Sequence, residues 1–220
     1  MRFLVFLLAL AINFAYAYKE GVLIGKKAPD FTFLGEECKY DPDDIYYKEN
    51  GKWKKRCKEH NLSEILKKGK PVVIVFWAIG DRPGTYYFLP KLNELYEKYK
   101  DKVEFMAVLL SRTSQKEVEK AKKLIPLKMP VYRAYSDAII KYNIGKIDVP
   151  YLVFITPDGK IKKVMLRPES PMRYVEDEKG LHKRNGKFDK SHRFDIHQDL
   201  IEASIKDIDK YIQELIRWKK

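Results

Sequence analysis

Two apolar segments in the first half of the chain have the pattern of strands that are buried on both faces. They run from Pro71 to Trp77 and from Val103 to Leu110, and the first is rich in β-branched residues. Between the two segments, apolar side chains recur every three or four residues and predict one buried helical face: Phe88, Leu92, Leu95, Tyr96 and Tyr99. The pattern therefore predicts a strand, a helix and a second strand in succession.

The second half of the chain continues the alternation of strand and helix. Ser114 and Glu117 form a capping box, and the helix that they begin is expected to end at Pro126. A last helix carries an apolar stripe from Leu200 to Ile216. Between these helices the pattern predicts a short strand at Val131 to Ala134 and a helical turn at Ala138 to Tyr142. Two further strands, Tyr151 to Thr156 and Ile161 to Leu166, are expected to be joined by the turn Pro157-Asp158-Gly159. This order predicts an α/β fold, with helices on both faces of a mixed central sheet.

The N-terminal segment has the features of an export signal. Arg2 precedes an apolar run from Phe3 to Phe14, and Ala15-Tyr16-Ala17 supplies the small-x-small pattern that a signal peptidase cleaves. The run is shorter than the roughly 20 apolar residues that a spanning helix needs, and an uncleaved anchor is the alternative. We therefore predict a signal peptide at 1–17, a mature domain at 18–220 with no stable membrane span, and a periplasmic or other extracytoplasmic location.

Composition and charge exclude several classes of protein. Hydrophobic residues make up 45% of the 220 residues and charged residues 34%, which excludes a multi-span membrane protein and a low-complexity disordered chain. The formal net charge is +13, but lysines are spread over nearly every segment, with no interleaved aromatic platform evident. We therefore expect solvated basic faces and no nucleic-acid partner.

Two polar insertions interrupt the strand and helix pattern, at about 35–61 and about 168–196. The first contains Asn50-Gly51, the strongest hairpin signal of the chain, with Ile45 to Tyr47 before it and Trp53 after it. The second is charged and contains His182, and it is expected to form either a mobile loop or a second hairpin. Three histidines fall in or beside this insertion without a recognised ligand spacing, so we predict no metal site and no cofactor: His182, His192 and His197.

The chain has two cysteines, Cys38 and Cys57, and both lie in the first insertion. Ideal pairing around the Asn50-Gly51 turn places residue 44 opposite Cys57, so a bridge would tie the exit of the hairpin to its lead-in. Such a bridge stabilises by about 3 kcal/mol in the chain-entropy model. We interpret it as a structural disulfide because it lacks the helix N-terminus and tight spacing of a reactive pair. Four cations flank Cys57 and would lower its pKa, which keeps a redox role open: Lys54, Lys55, Arg56 and Lys58.

Several segments together resemble the exported thioredoxin-like proteins related to TlpA and ResA, which share an opening motif with the peroxiredoxins of the AhpC/TSA type. They are Gly25 to Phe31, the strand that ends at Ala78, Leu92 to Tyr99, Val149-Pro150 and Phe154 to Ile161. The resemblance covers roughly 21–167 and the last helix. It implies a thioredoxin-like fold, in which helices flank a mixed central β-sheet.

The resemblance also implies a Cys-x-x-Cys pair between the first core strand and the following helix, and this chain has no cysteine there. Counted forward from Trp77, the two positions fall on Asp81 and Gly84; counted back from Pro90, they fall on Arg82 and Thr85. Asp81 before a Pro-Gly turn is typical of a helix cap, and recruitment of its carboxylate to new chemistry is the alternative. We predict no catalytic residue in this loop.

Val149-Pro150 matches the position at which the family places a cis-proline. In redox-active relatives, the loop that contains this proline pairs with an extended polypeptide through its backbone groups. Pro150 could also simply shape a turn. We predict a shallow groove that binds an extended polypeptide or an envelope protein, formed by Trp77, Asp81, Arg82, Gly84, Thr85, Tyr86, Val149 and Pro150.

The predicted function is therefore a binding or accessory module of the cell envelope that lacks the redox motif and is not an enzyme. The alternative is a thiol-disulfide oxidoreductase that uses Cys38 and Cys57, and a peroxidase is the third candidate.

Overall fold

A mixed nine-stranded sheet lies at the centre of the computed structural model, which describes residues 21, 23–80, 83–110, 113–145, 148–170, 172–185 and 198–218. The strands of this sheet follow the predicted apolar segments and add several short elements: β1 (Thr32–Leu34), β4 (Glu59–Asn61), β5 (Val72–Trp77), β6 (Glu104–Leu109), β7 (Val131–Ala134), β8 (Tyr151–Ile155), β9 (Ile161–Leu166), β10 (Met172–Asp177) and β11 (Gly180–Asn185). A separate hairpin consists of β2 (Tyr46–Glu49) and β3 (Lys52–Lys55).

Helices cover both faces of the central sheet: α1 (Leu62–Leu66), α2 (Pro83–Tyr99), α3 (Gln115–Leu124), α4 (Ser136–Lys141) and α5 (Gln198–Ile216). The capping box that begins α3 is present, since the Ser114 hydroxyl accepts from the Glu117 N–H and the Glu117 carboxylate accepts from the Ser114 N–H. The buried side chains of α5 include Leu200, Ile208 and Leu215, as its apolar stripe predicts.

The order of the strands across the sheet is β11-β10-β9-β8-β5-β6-β7-β1-β4. The central strands β5, β6 and β7 are parallel, whereas β8 and β9 on one side and β1 and β4 on the other are antiparallel to their neighbours. The predicted mixed sheet is therefore confirmed.

The core consists of two large apolar clusters, one on each face of the sheet. On one face, Trp77 and Phe154 of the sheet belong to the same cluster as Phe88 of α2 and Ile208 of α5. On the other face, Phe33 and Phe76 share a cluster with Tyr142, which follows α4. Alternate residues of β5 enter alternate clusters because successive side chains of a strand point to opposite faces.

The first insertion forms the predicted hairpin. Asn50 and Gly51 both have positive φ, 50° and 76°, which fits a two-residue turn of the primed type. The pairing runs from Glu49 with Lys52 to Tyr46 with Lys55, so the register matches the one expected from Asn50-Gly51.

The second insertion extends the central sheet, because β10 pairs with β9 and β11 pairs with β10. A hairpin is thus the arrangement seen in 172–185. His182 lies there beside Asp177, at 3.2 Å between Nε2 and Oδ1, whereas His192 and His197 lie outside the described residues. The predicted signal peptide at 1–17 also lies outside them, and no helix of the described residues is long and apolar enough to cross a membrane.

Candidate functional site

The loop after β5 occupies the position of the family motif. Its Gly80 N–H donates a hydrogen bond to the Tyr86 hydroxyl at 3.1 Å, which ties the loop to the first turns of α2. Asp81 and Arg82 lie outside the described residues, and Gly84 lies in the first turn of α2. The chain supplies no sulfur atom anywhere in this loop.

The other residues of the predicted polypeptide groove are largely buried, and Trp77 and Val149 belong to the apolar clusters of opposite faces of the sheet. Trp77 and Thr85 are each 1% exposed, Val149 and Pro150 are buried, and Tyr86 is half-buried. The Val149–Pro150 peptide bond is cis, as the family resemblance implies. Binding of a polypeptide at this position stays a prediction, since the described side chains offer little accessible surface there.

The two cysteines form the predicted disulfide. Their Sγ atoms lie 2.14 Å apart, their Cα atoms lie 5.5 Å apart, and 19 positions separate them in the chain. The two halves of the bridge differ in exposure, because Cys38 is 2% exposed and Cys57 is half-buried. A reactant from solvent therefore reaches the sulfur of Cys57 more readily than that of Cys38.

A small apolar cluster surrounds the disulfide. Leu34 and Ile45 are buried with Cys38, and Tyr135 packs against them together with Cys57. The Arg56 N–H donates to the Ile45 carbonyl at 2.9 Å, so the hydrogen bonding of the hairpin continues to the residue before Cys57. The bridge is therefore held on one side by the lead-in to the hairpin and on the other by its exit.

A buried arginine lies directly beside Cys38. The Arg133 side chain is buried, and its Nη2 donates to the Cys38 carbonyl oxygen at 2.8 Å. Its Nη1 is also buried and has no hydrogen-bond partner among the described residues. Burial lowers the pKa of Arg133 from its ordinary value, and Asp41 counteracts part of that shift. Because an unpaired buried cation is unfavourable, a negative charge that formed nearby would be stabilised.

The lead-in to the hairpin is fixed to α3. The Asp41 carboxylate accepts from the Gln115 N–H at 2.6 Å, at the first residue of this helix. A cleft of about 110 Å³ lies between the lead-in and α3, and both Cys38 and Arg133 line it, together with Lys39 and Val118. The site thus has an opening on the α3 side, next to the buried half of the disulfide.

The disulfide and the family motif position lie at the same level of the sheet but on different strands. Trp77 pairs with Leu109, and Leu109 pairs with Arg133. On its other side Arg133 pairs with Leu34, four residues before Cys38. Three strand spacings, about 14 Å, therefore separate β5 from β1. The two cysteines do not replace the missing pair in its own place; they form a second position along the same sheet.

A carboxylate anchors the base of the hairpin. Glu59 accepts hydrogen bonds from the Tyr135 hydroxyl at 2.8 Å and from the Tyr46 hydroxyl at 2.9 Å, and it forms a close ion pair with Lys55. Burial raises the pKa of Glu59, but the hydrogen bonds from Lys55, Tyr135 and Tyr46 outweigh it and leave this pKa below its ordinary value. Glu59 therefore joins β3 and β4 around the disulfide.

Comparison with known proteins shows what this chain is similar to. The model of the AhpC/TSA family matches residues 24–164. A thiol-disulfide oxidoreductase ResA from Bacillus cereus is 32% identical over 148 residues, which cover 66% of this chain and 71% of the relative. The protein of the same name from Bacillus anthracis is 31% identical over 148 residues, with the same shares.

Two solved structures have a similar fold at low sequence identity. A thioredoxin family thiol:disulfide interchange protein from Chlorobium tepidum TLS has a TM-score of 0.53 at 16% identity and covers 87% of this chain and 96% of its own. A protein from Bacteroides thetaiotaomicron described as a putative protein disulfide isomerase has a TM-score of 0.51 at 16% identity, with 88% and 92% covered. These matches confirm the predicted thioredoxin-like fold.

The comparisons contradict the predicted accessory module without redox chemistry. The relatives are named as thiol-disulfide oxidoreductases, and the two cysteines of this chain lie at bonding distance, which favours the redox alternative and supports the enzyme option. The sequence favours a structural bridge because the pair lacks both the helix N-terminus and the tight spacing of reactive thiols. It does not show that Arg133 places a buried positive charge beside Cys38, because β7 has no pattern that marks a functional arginine.

Proposed function

Because this chain belongs to the AhpC/TSA family and to its TlpA/ResA-like thioredoxin-fold relatives, we propose that it is a thiol-disulfide oxidoreductase whose redox pair is Cys38 and Cys57. One observation carries the proposal: the disulfide joins the half-buried Cys57 to the fully buried Cys38, and a buried guanidinium, that of Arg133, lies at the carbonyl oxygen of Cys38. This asymmetry is what an exchange reaction requires, since one sulfur is attacked and the other leaves.

Cys57, the more accessible half of the bridge, is the point of attack. A substrate thiolate approaches the Sγ atom of Cys57 and forms a new S–S bond to it, while the bond between Cys57 and Cys38 breaks. The product is a mixed disulfide between the substrate and Cys57. Lys54, Lys55, Arg56 and Lys58 surround this position and attract an anionic thiolate to it.

The buried half of the bridge is the leaving group. Cys38 departs as a thiolate, which takes the electron pair of the broken bond, and the guanidinium of Arg133 lies at the carbonyl group of the same residue. A lower thiol pKa makes a sulfur a better leaving group. Arg133 is thus a positioning residue that favours the reduced state of the pair.

A second thiolate of the same substrate completes the exchange. It attacks the substrate sulfur of the mixed disulfide and releases Cys57 as a thiolate. In sum, a substrate dithiol loses two electrons and two protons and becomes a disulfide, while the protein disulfide gains them and becomes a dithiol. The reverse sequence reduces a substrate disulfide, and turnover in either direction requires a second dithiol/disulfide couple that restores the starting state.

The setting of this reaction follows from the sequence. The predicted signal at 1–17 supports export, with Tyr18 as the mature N-terminus, to a compartment in which disulfides persist. An extended polypeptide with cysteines, or an envelope protein, is the substrate that fits such a compartment.

An exchange assay with single-cysteine variants tests the proposal. The oxidised protein is incubated with a reduced two-cysteine peptide, and mass spectrometry counts the thiols of both. The wild-type protein should oxidise one equivalent of this peptide. Reduced Cys38→Ser, in which Cys57 is free, should form a stable mixed disulfide with a one-cysteine peptide whose sulfur is activated by a thionitrobenzoate leaving group, which departs as the thiolate. Cys57→Ser should trap the same activated peptide at least about tenfold more slowly, because Cys38 is buried.

The double variant Cys38→Ser/Cys57→Ser is the control and should be inert. A wild-type disulfide that stays intact in the presence of excess peptide thiol would contradict the proposal, as would equal trapping by the two single variants.

A further inference from the structure

One face of the β2–β3 hairpin consists of alternating aromatic and lysine side chains. Tyr46 pairs with Lys55, and Lys48 pairs with Trp53. Cross-strand partners lie on the same face, and so do residues two apart on one strand. These four residues therefore form a single surface, which we call the hairpin face.

The hairpin face is open to solvent. Trp53 is 67% exposed and Tyr46 is 45% exposed, and both lysines are exposed as well. Lys48 Nζ lies 5.4 Å from the ring centroid of Trp53, and Lys55 Nζ lies 5.2 Å from that of Tyr46. Solvent-exposed tryptophan contributes little to folding, whereas tryptophan and tyrosine are enriched at protein interfaces. The sequence expectation of no interleaved aromatic platform is thus wrong for this hairpin.

The charge of the hairpin is strongly positive. Residues 46–58 contain six cations, the lysines and the arginine, against one acidic residue, Glu49. Glu49 pairs with Lys54, while Glu59 of β4 pairs with Lys55. Within the described part of the chain, Lys48 on the hairpin face and Lys52 at the adjoining turn have no acidic partner. Lys48, which lies beside the exposed indole, thus remains available to an anionic ligand, and Lys52 adds positive charge next to the turn on the opposite face of the hairpin.

The position of the hairpin face relates it to the disulfide. Lys55 precedes Cys57 by two residues and Trp53 precedes it by four. A chain spans at most about 3.3–3.6 Å per residue, so the Cα atoms of Lys55 and Trp53 lie within about 7 and 14 Å of the Cα atom of Cys57. A polypeptide whose cysteine meets Cys57 can therefore place its residues at two to four positions from that cysteine on the hairpin face.

We infer that the hairpin face is the docking surface for the substrate, and that this substrate is an extended polypeptide with acidic residues two to four positions from its cysteine. The inference rests on the proposed function, since it assigns the substrate class of the same disulfide. A carboxylate of the substrate pairs with Lys48, Lys52 beside the turn strengthens the positive field, and an aromatic or aliphatic side chain of the substrate covers Trp53.

Binding is measured without exchange by peptides that carry serine in place of cysteine. One peptide has Asp and Glu at two to four positions from the serine, and a matched peptide has Lys at those positions. The fluorescence difference between wild-type protein and Trp53→Phe reports contact at Trp53. The acidic peptide should bind at least about tenfold more tightly than the basic one, and added salt should weaken it.

Charge reversal identifies the surface. Lys48→Glu/Lys52→Glu should weaken binding of the acidic peptide about tenfold, whereas Lys102→Glu/Lys123→Glu makes the same change of charge at exposed positions elsewhere and should have less than about a twofold effect. Equal affinity for the two peptides, or an equal loss in both double variants, would overturn the inference. So would binding to anionic phosphatidylglycerol vesicles in the absence of any peptide binding.

The outcome separates this inference from the proposed function. If the disulfide is inert but the serine peptide binds, the docking surface stands and the oxidoreductase proposal fails. If cysteine forms of both peptides exchange at equal rates, after correction for their rates with a small neutral disulfide, the oxidoreductase proposal stands and the docking surface fails.

Discussion

The Arg133 guanidinium donates a hydrogen bond to the Cys38 carbonyl oxygen at 2.8 Å, from a position that is itself only 3% exposed. This contact places a buried cation at the backbone of Cys38, the residue whose sulfur becomes a thiolate when the disulfide opens. It supplies at β7 the positive field that a helix N-terminus supplies to a reactive thiol in other sites. The oxidoreductase proposal therefore predicts that the thiol pKa of Cys38 and the reduction potential of the pair depend on Arg133.

Replacement of this cation should make the pair less oxidising. In reduced Arg133→Met, the Cys38 thiol should be less acidic by about one pKa unit, because the thiolate loses a nearby charge in a low-dielectric site. At a pH above the Cys38 thiol pKa of both the wild-type protein and the variant, the reduction potential should fall by about 30 mV, since the reduced state loses that stabilisation. Titration of the thiolate by ultraviolet absorbance and a redox equilibrium with a reference couple measure the two effects.

Arg133→Lys is the matched control, because it keeps the charge and should recover most of both effects. Circular dichroism establishes first that each variant is folded. An Arg133→Met protein with an unchanged thiol pKa and potential would remove Arg133 from the mechanism.

The anchor at Glu59 predicts a dependence of stability on pH. Its pKa is lower in the folded protein than its ordinary value of 4.5, so the carboxylate contributes stability that is fully present above about pH 4.5 and is lost as the pH falls through the folded value. Glu59→Gln should therefore lower the free energy of unfolding by about 1.5 kcal/mol at pH 7 and by much less near pH 3. Urea denaturation at several pH values measures this difference.

Glu97→Gln serves as the comparison for that experiment, since Glu97 is an exposed carboxylate that pairs with Lys100 at 2.6 Å. Its effect should be much smaller than that of Glu59→Gln at every pH, because solvent screens an exposed ion pair. A Glu59→Gln deficit that does not shrink on acidification would show that the loss does not come from the carboxylate charge.

Removal of the disulfide should destabilise the chain without changing its fold. Cys38→Ser/Cys57→Ser should lower the free energy of unfolding by about 3 kcal/mol, because the loop between the cysteines regains conformational freedom in the unfolded state. The two large core clusters do not include either cysteine, so the secondary structure should remain. Thermal denaturation followed by circular dichroism measures the stability and the retained secondary structure of this variant beside oxidised and reduced wild-type protein. An unchanged midpoint would show that the bridge does not constrain the chain.

Much of the fold could be predicted from local pattern. The apolar run at Val72–Trp77 forms a fully buried strand, and the Ser114 capping box begins a helix, because both signals depend on residues close together in the chain. The Asn50-Gly51 turn is equally local. In contrast, Glu59–Asn61 forms an edge strand through its pairing with β1, and three polar residues give no signal of such a partner.

The site could be predicted only in part. The bridge between Cys38 and Cys57 followed from their number and compartment, but its chemistry depends on groups that the topology brings together. Arg133 is 95 positions from Cys38 and Glu59 is 76 positions from Tyr135, so no spacing in the sequence relates them. The order of the strands β7-β1-β4 creates both contacts.

The reduction potential of the Cys38–Cys57 pair tests the oxidoreductase proposal most directly. The protein is equilibrated with dithiol and disulfide buffers of known ratio, quenched with acid, alkylated, and counted for free thiols by mass spectrometry. We expect a potential of about −270 mV or higher, in the range of exchange proteins. A potential below about −300 mV is typical of structural bridges and would contradict the account.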